Sequence, residues 1–167
     1  MKPNWKPDDL EAARGVALRF LGYSARSRSE MQKRLERDEF APEIIEAVLA
    51  ELEARNWVND AQFAQDWVAD RADRKKYGKS RLAAELRRKG IDKEQVTAAI
   101  GGVEEEEELA RARSAAASRW KLEAADADRE TILAEKRRIA SFLQRRGFGW
   151  GIITQVLAEL TANQEEL

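Results

Sequence analysis

The sequence predicts an all-α protein built from three tandem three-helix, helix-turn-helix-like repeats. Three observations carry that expectation. Apolar residues recur at three and four positions, as in Ile45, Val48, Leu49, Leu52, and no stretch alternates at two. Ala, Leu, Glu, Arg and Lys dominate, the residues that lose least on entering a helix. The apolar pattern also repeats. With Leu35, Leu86 and Leu143 superposed, Met31, Leu82 and Ile139 stand four residues before, and Phe40, Ile91 and Phe148 five after. Further on, Ile45, Val48, Leu49, Leu52 match Val96, Ala99, Ile100, Val103 and Ile153, Val156, Leu157, Leu160.

The first repeat, residues 1–56, opens with a helix over 8–23 that carries the i,i+4 pair Val16 and Phe20. Its middle helix, 28–38, starts at Ser27, with Glu30 three residues on to complete a capping box. Its third helix, 42–55, starts at Pro42, where a missing N–H costs nothing. The second repeat, 57–103, has a front helix over 60–77 with Phe63 and Trp67, capped by Asn59 or Asp60. Its middle helix spans 79–89 and its third 93–103, capped by Asp92. The third repeat, 104–167, has helices over 104–120, 129–146 and 150–162. Gly90 and Gly147 stand where a middle helix ends in the left-handed conformation; the first repeat has Glu39 there. Phe40, Ile91 and Phe148 follow and plug the angle between middle and third helices. Units this small bury little area alone and lean on neighbours in a row.

The chain has 167 residues, 43% hydrophobic and 37% charged, well above the ~25% charge of an average globular protein. It contains no Cys and no His, which excludes disulfides, thiolate nucleophiles, Ser-His or Cys-His catalysis and the commonest transition-metal ligand. No apolar run approaches the ~20 residues that span a bilayer, and Met1–Asp9 lacks a signal-peptide core, so a cytoplasmic protein is expected. Gly101-Gly102 lacks the Lys and Ser/Thr of a phosphate loop, and the glycines of 147–151 follow a helix, not a strand. No carboxylate pair sits in an apolar setting that would split its pKa values. The expectation is no catalytic residue, no cofactor and no metal site.

The net charge of −1 conceals segregation. From Arg71 to Gly90 nine basic residues face only Asp73 and Glu85, a net of +7. Asp92 to Glu108 carries −6, Lys136 to Gly147 +5, and Arg26 to Arg37 +3. Each positive block falls on the middle helix of a repeat, a pattern suited to phosphates or an acidic protein surface. Arg74-Lys75-Lys76-Tyr77-Gly78-Lys79 lies at a helix junction, where like charges gain little from i,i+4 pairing. The Glu104–Glu108 run starts a helix, where the dipole favours acids. Among the aromatics, Trp67 and Trp120 fall on apolar faces, Trp57 and Trp150 at turns, and Tyr77 within the basic junction.

Ala17-Leu18-Arg19-Phe20-Leu21, then Ser27-Arg28-Ser29-Glu30-Met31 and Lys33-Arg34-Leu35, resemble the opening of the RecX family, regulators of the RecA recombinase. Trp57-Val58-Asn59-Asp60-Ala61-Gln62-Phe63-Ala64 and Gly78-Lys79-Ser80-Arg81-Leu82-Ala83-Ala84-Glu85-Leu86-Arg87-Arg88-Lys89-Gly90-Ile91 resemble its most characteristic stretch. Phe142-Leu143-Gln144-Arg145-Arg146-Gly147-Phe148 with Ile152 and Ile153 fits a third unit, so the resemblance covers nearly the whole chain. It implies three repeats in an elongated curved rod. It also implies binding along a RecA–single-stranded-DNA filament, with lowered ATP hydrolysis, strand exchange and repressor cleavage.

The expected partner surface is Arg71, Arg74, Lys75, Lys76, Tyr77, Lys79, Arg81, Arg87 and Arg88, with Arg145 and Arg146 as a second patch. The expected partner is the RecA nucleoprotein filament, met by a monomer with weak nonspecific DNA contact and no membrane. The rival is a direct helix-turn-helix DNA binder, disfavoured because the third helix of the first repeat carries Glu43, Glu46, Glu51 and Glu53 where a reading helix needs cations. A helical adaptor for another acidic protein is the third reading.

Overall fold

A computed structural model describes residues 5–122 and 128–165. Among these there are nine helices and no strand: α1 Leu10–Tyr23, α2 Arg28–Arg37, α3 Pro42–Ala54, α4 Asp60–Lys75, α5 Lys79–Arg88, α6 Lys93–Gly101, α7 Glu105–Ala117, α8 Arg129–Arg145 and α9 Trp150–Glu165. Starts agree with the sequence expectation because the capping chemistry is local. Ser27 and Glu30 form the complete capping box, Pro42 opens α3, and Asp92 accepts from the Gln95 N–H at 2.9 Å. Of the two candidates before α4, Asn59 is the cap, accepting from Gln62 N–H. Two front helices end early. α4 stops at Lys75 because Lys76 turns left-handed at φ 51°, and α7 stops at Ala117, with Ser118 as its C-cap.

The chain forms two compact units, Met1–Asp66 with Leu86–Val96 and Trp67–Glu85 with Thr97–Leu167. In the first, α1, α2 and α3 enclose Val16, Met31, Leu35, Phe40, Val48, Leu49 and Leu52. The N-terminus of α2 also seats against the end of α5. Ser27 Oγ accepts from Glu30 N–H and donates to the Lys89 carbonyl at 2.6 Å, and Arg28 N–H donates to Asp60 at 2.7 Å. Gly90, at φ +78°, lies so close that a Cβ would stand 2.3 Å from the Cβ and Oγ of Ser29.

In the second unit α7, α8 and α9 enclose Leu109, Ala112, Ala116, Ile139, Leu143, Phe148, Ile153 and Val156, with Trp120 packed at the edge. The small residues of α7 let its backbone approach α9, and Arg113 forks onto Glu159 at 2.7 and 2.8 Å. The buried Glu135 on α8 holds the α7–α8 connection by accepting from Lys121 N–H at 2.9 Å. The Arg138 guanidinium, and then that N–H, hold the Glu135 carboxyl below the usual range against the opposing effect of burial. A depressed folded pKa stabilises above the unfolded value of about 4.3, and the gain fades as pH falls through the folded value. Glu135→Gln therefore lowers the urea midpoint at pH 7, and the gap to the parent closes towards pH 3. An equal gap at both pH values would contradict this account.

Candidate functional site

The second unit gathers most of the cations singled out in the sequence. The α4–α5 junction lies on the α8–α9 junction through backbone groups. Gly78 N–H donates to the Arg146 carbonyl at 2.8 Å and Ser80 N–H to the Gly147 carbonyl at 3.2 Å. The Arg81 guanidinium donates to the Arg145 carbonyl at 3.0 Å, and that of Arg146 to the Lys75 carbonyl. Gly147 is left-handed at φ +87°, and a Cβ on it would stand 2.4 Å from Arg81 N. A Cβ on Gly78 would stand 2.4 Å from the Gly147 oxygen. Arg145 and Arg146 are thus one surface with Lys75 to Arg81, where the sequence suggested two patches.

A buried carboxylate fixes this junction from beneath. Glu108, 4% exposed, accepts from Lys79 N–H at 2.8 Å and caps α5, with the Lys79 ammonium 3.8 Å away. The sequence offered only the dipole of α7 as a reason for the acidic run. A cap supplied by another helix leaves no local signature.

Charge pairing sorts the cations. Glu85 accepts from Trp67 Nε1 at 3.1 Å and faces Arg71 at 3.8 Å, contacts that brace α4 against α5, and it also faces Arg81 one turn back on its own helix at 3.6 Å. Arg71 also lies over the Trp67 ring, 4.2 Å from its centroid. Arg74 pairs with Asp70 at 2.8 Å and Lys76 with Asp73 at 3.7 Å. Lys75, Arg145 and Arg146 have no carboxylate within ion-pair distance among the described residues. Lys75 and Arg145 are exposed, Arg146 half-buried. Tyr77 is half-buried, with the Arg81 guanidinium 4.1 Å and that of Arg146 5.6 Å from its ring centroid. Arg87 and Arg88 are exposed on the last turn of α5 and belong to the first unit.

The surface carries hydrogen-bond donors and positive charge. Among the described residues no group of three carboxylates could hold a metal ion, and no helix is long and apolar enough to cross a membrane. The third helices suit groove reading poorly: α3 and α9 contain no Lys or Arg, and α6 contains only Lys93. Trp57 and Trp150 are exposed, as their turn positions suggested, while Trp67 and Trp120 are half-buried.

Residues 13–52, 59–100 and 105–157 match models of the first, second and third three-helix domains of RecX. The chain is 35% identical over 161 residues to the Regulatory protein RecX of Mycobacterium avium (strain 104), covering 96% of this chain and 91% of that one. It is 34% identical over 156 residues to that of Mycobacterium tuberculosis (strain ATCC 25618 / H37Rv), covering 93% and 90%. The crystal structure of RecX from Lactobacillus salivarius has the same fold, with a TM-score of 0.79 at 22% identity over 92% of this chain and 97% of that one.

Proposed function

The chain belongs to the RecX family, and from that premise we propose that it is a non-enzymatic regulator that binds the RecA–single-stranded-DNA filament. Binding blocks extension and favours disassembly, and so lowers ATP hydrolysis, strand exchange and repressor cleavage. The observation that supports this most is the joined basic surface of the α4–α5 and α8–α9 junctions, whose carbonyl bonds hold its cations without spending Lys75 and Arg145 on carboxylates. Three tandem domains, 1–56, 57–103 and 104–167, also suit a partner that repeats along its length. Modest contacts to successive protomers combine through effective concentration.

The test is RecA ATP hydrolysis on single-stranded DNA with this protein added. Half-inhibition is expected at concentrations below that of RecA, since one bound molecule silences many protomers when it stops growth. Inhibition that appears only once the DNA itself is saturated would instead indicate competition for DNA. Tight, sequence-specific binding to a duplex without RecA would overturn the reading in favour of the helix-turn-helix alternative.

A further inference from the structure

We propose that a cleft beside this surface holds a backbone phosphate of single-stranded polynucleotide, an inference that rests on the filament reading and refines it. The cleft has a volume of about 280 Å³ and opens where three helices of the second unit end. Lys75 comes from α4, Ser114, Ser118 and Arg119 from the end of α7, and Phe142 and Arg146 from the end of α8. No side-chain pattern announces it, because Ser114 to Arg119 lie in an Ala-rich stretch without a charge run.

Three features fit a phosphate. The Arg119 and Arg146 guanidiniums lie over the Phe142 ring, 5.4 and 5.0 Å from its centroid, so an aromatic plate holds two planar donors in place. Neither arginine nor Lys75 has a carboxylate partner among the described residues. The Ser114 hydroxyl is exposed at the wall as a further donor, whereas that of Ser118 is spent on the Ala115 carbonyl at 2.9 Å.

A simpler account makes these cations a match for the helix C-termini, each worth about half a negative charge. It suits Arg146, whose guanidinium bonds the Lys75 carbonyl. It leaves the Arg119 guanidinium and the Lys75 ammonium without a carbonyl or carboxylate acceptor among the described residues. With Arg74 and Lys76 also on the wall, offset only by Asp70 and Asp73, positive charge is in surplus. An entering anion relieves it.

A polynucleotide fits better than a free nucleotide. Arg145, exposed, without a carboxylate partner among the described residues and adjacent in the chain to Arg146 of the wall, adds a further cation, so the charge suits more than one phosphate. Phe142, the aromatic ring in the cleft wall, already carries two guanidiniums, so the cleft offers phosphate contacts and no ring for a base, and recognition is independent of sequence.

The experiment measures anisotropy of a fluorescein-labelled oligothymidylate across salt concentrations, with the parent and with Arg119→Gln and Ser114→Asp. Helical circular dichroism of each variant verifies folding, and two chemically different changes guard against one misfolding. The parent binds, each variant loses about fivefold to tenfold, and Arg119→Gln lowers the salt slope by about 0.7, one single-strand phosphate contact. Parent-like affinity and slope in both variants would overturn the proposal and leave the cations as partners of the helix ends. No binding of the oligonucleotide, with ATP or inorganic phosphate alone raising the melting temperature, would also overturn it. RecA ATP hydrolysis is measured on the same proteins. Parent-like inhibition with parent-like DNA affinity sinks the cleft and leaves the filament reading standing; no inhibition by the parent sinks that reading.

Discussion

Gly147→Ala is expected to destabilise the protein by about 3 kcal/mol, from a left-handed penalty of about 1–2 kcal/mol and overpacking of about 1–3 kcal/mol. At roughly 2–4 °C per kcal/mol for a chain of this size, the midpoint falls by about 10 °C. The reason is twofold. Gly147 has φ +87°, and its Cβ would stand 2.4 Å from the backbone nitrogen of Arg81. No side-chain rotation relieves a clash with backbone. The turn must retreat, and its bonds with Gly78 and Ser80 go with it. Glu39→Gly is the matched control. Glu39 has φ 66° with an exposed side chain, so glycine there stays within about 1 kcal/mol of the parent. A Gly147→Ala midpoint within a few degrees of the parent would refute the close approach.

Lys75→Glu with Arg145→Glu gives the second large effect. Both side chains are exposed and lack a carboxylate partner among the described residues, so their reversal leaves the fold and its helical spectrum intact. The concentration for half-inhibition of RecA ATP hydrolysis rises at least about tenfold at low salt, the equivalent of ~1.4 kcal/mol. The deficit shrinks as salt screens exposed charges. Reversal of Arg71 is a poor substitute, because it also strips Glu85 and Trp67 of a neighbour and confounds binding with folding. Undiminished inhibition by the folded double variant would remove this surface from the proposed interface.

Much of the fold was legible because its determinants are local. A capping box, a proline at a first turn and a glycine after a last turn each mark a boundary within a few residues, and the helical stripes identified Leu35, Leu86 and Leu143, all fully buried. The site was legible only as a list. Which cations are spent and which are exposed depends on Glu85, Asp70 and Glu108, and the last of these reaches across from another helix. The union of the two basic patches depends on the Arg145, Arg146 and Gly147 carbonyls. Backbone acceptors are identical at every residue, so no pattern of side chains announces them. Arg71 illustrates the gap: as a sequence position it counts towards a +7 block, and in the fold it is a brace.

The single glutamate among the three turns has a consequence for how many repeats can be strung together. Gly90 and Gly147 are sockets, each receiving the N-terminal end of a preceding middle helix, at Ser29 and at Arg81. Glu39 adopts the same left-handed turn but carries a Cβ where the others carry a hydrogen. Any helix end offered to it in the same pose meets the overlap that Gly147→Ala would create. The other terminus is closed differently: α8 runs 17 residues where α2 and α5 run 10, so the position equivalent to Ser27 and Gly78 falls inside the helix, at Glu135. The glycine-to-helix-start contact is therefore made at Gly90 and at Gly147, and neither Glu39 nor the stretch of α8 around Glu135 is shaped to add another.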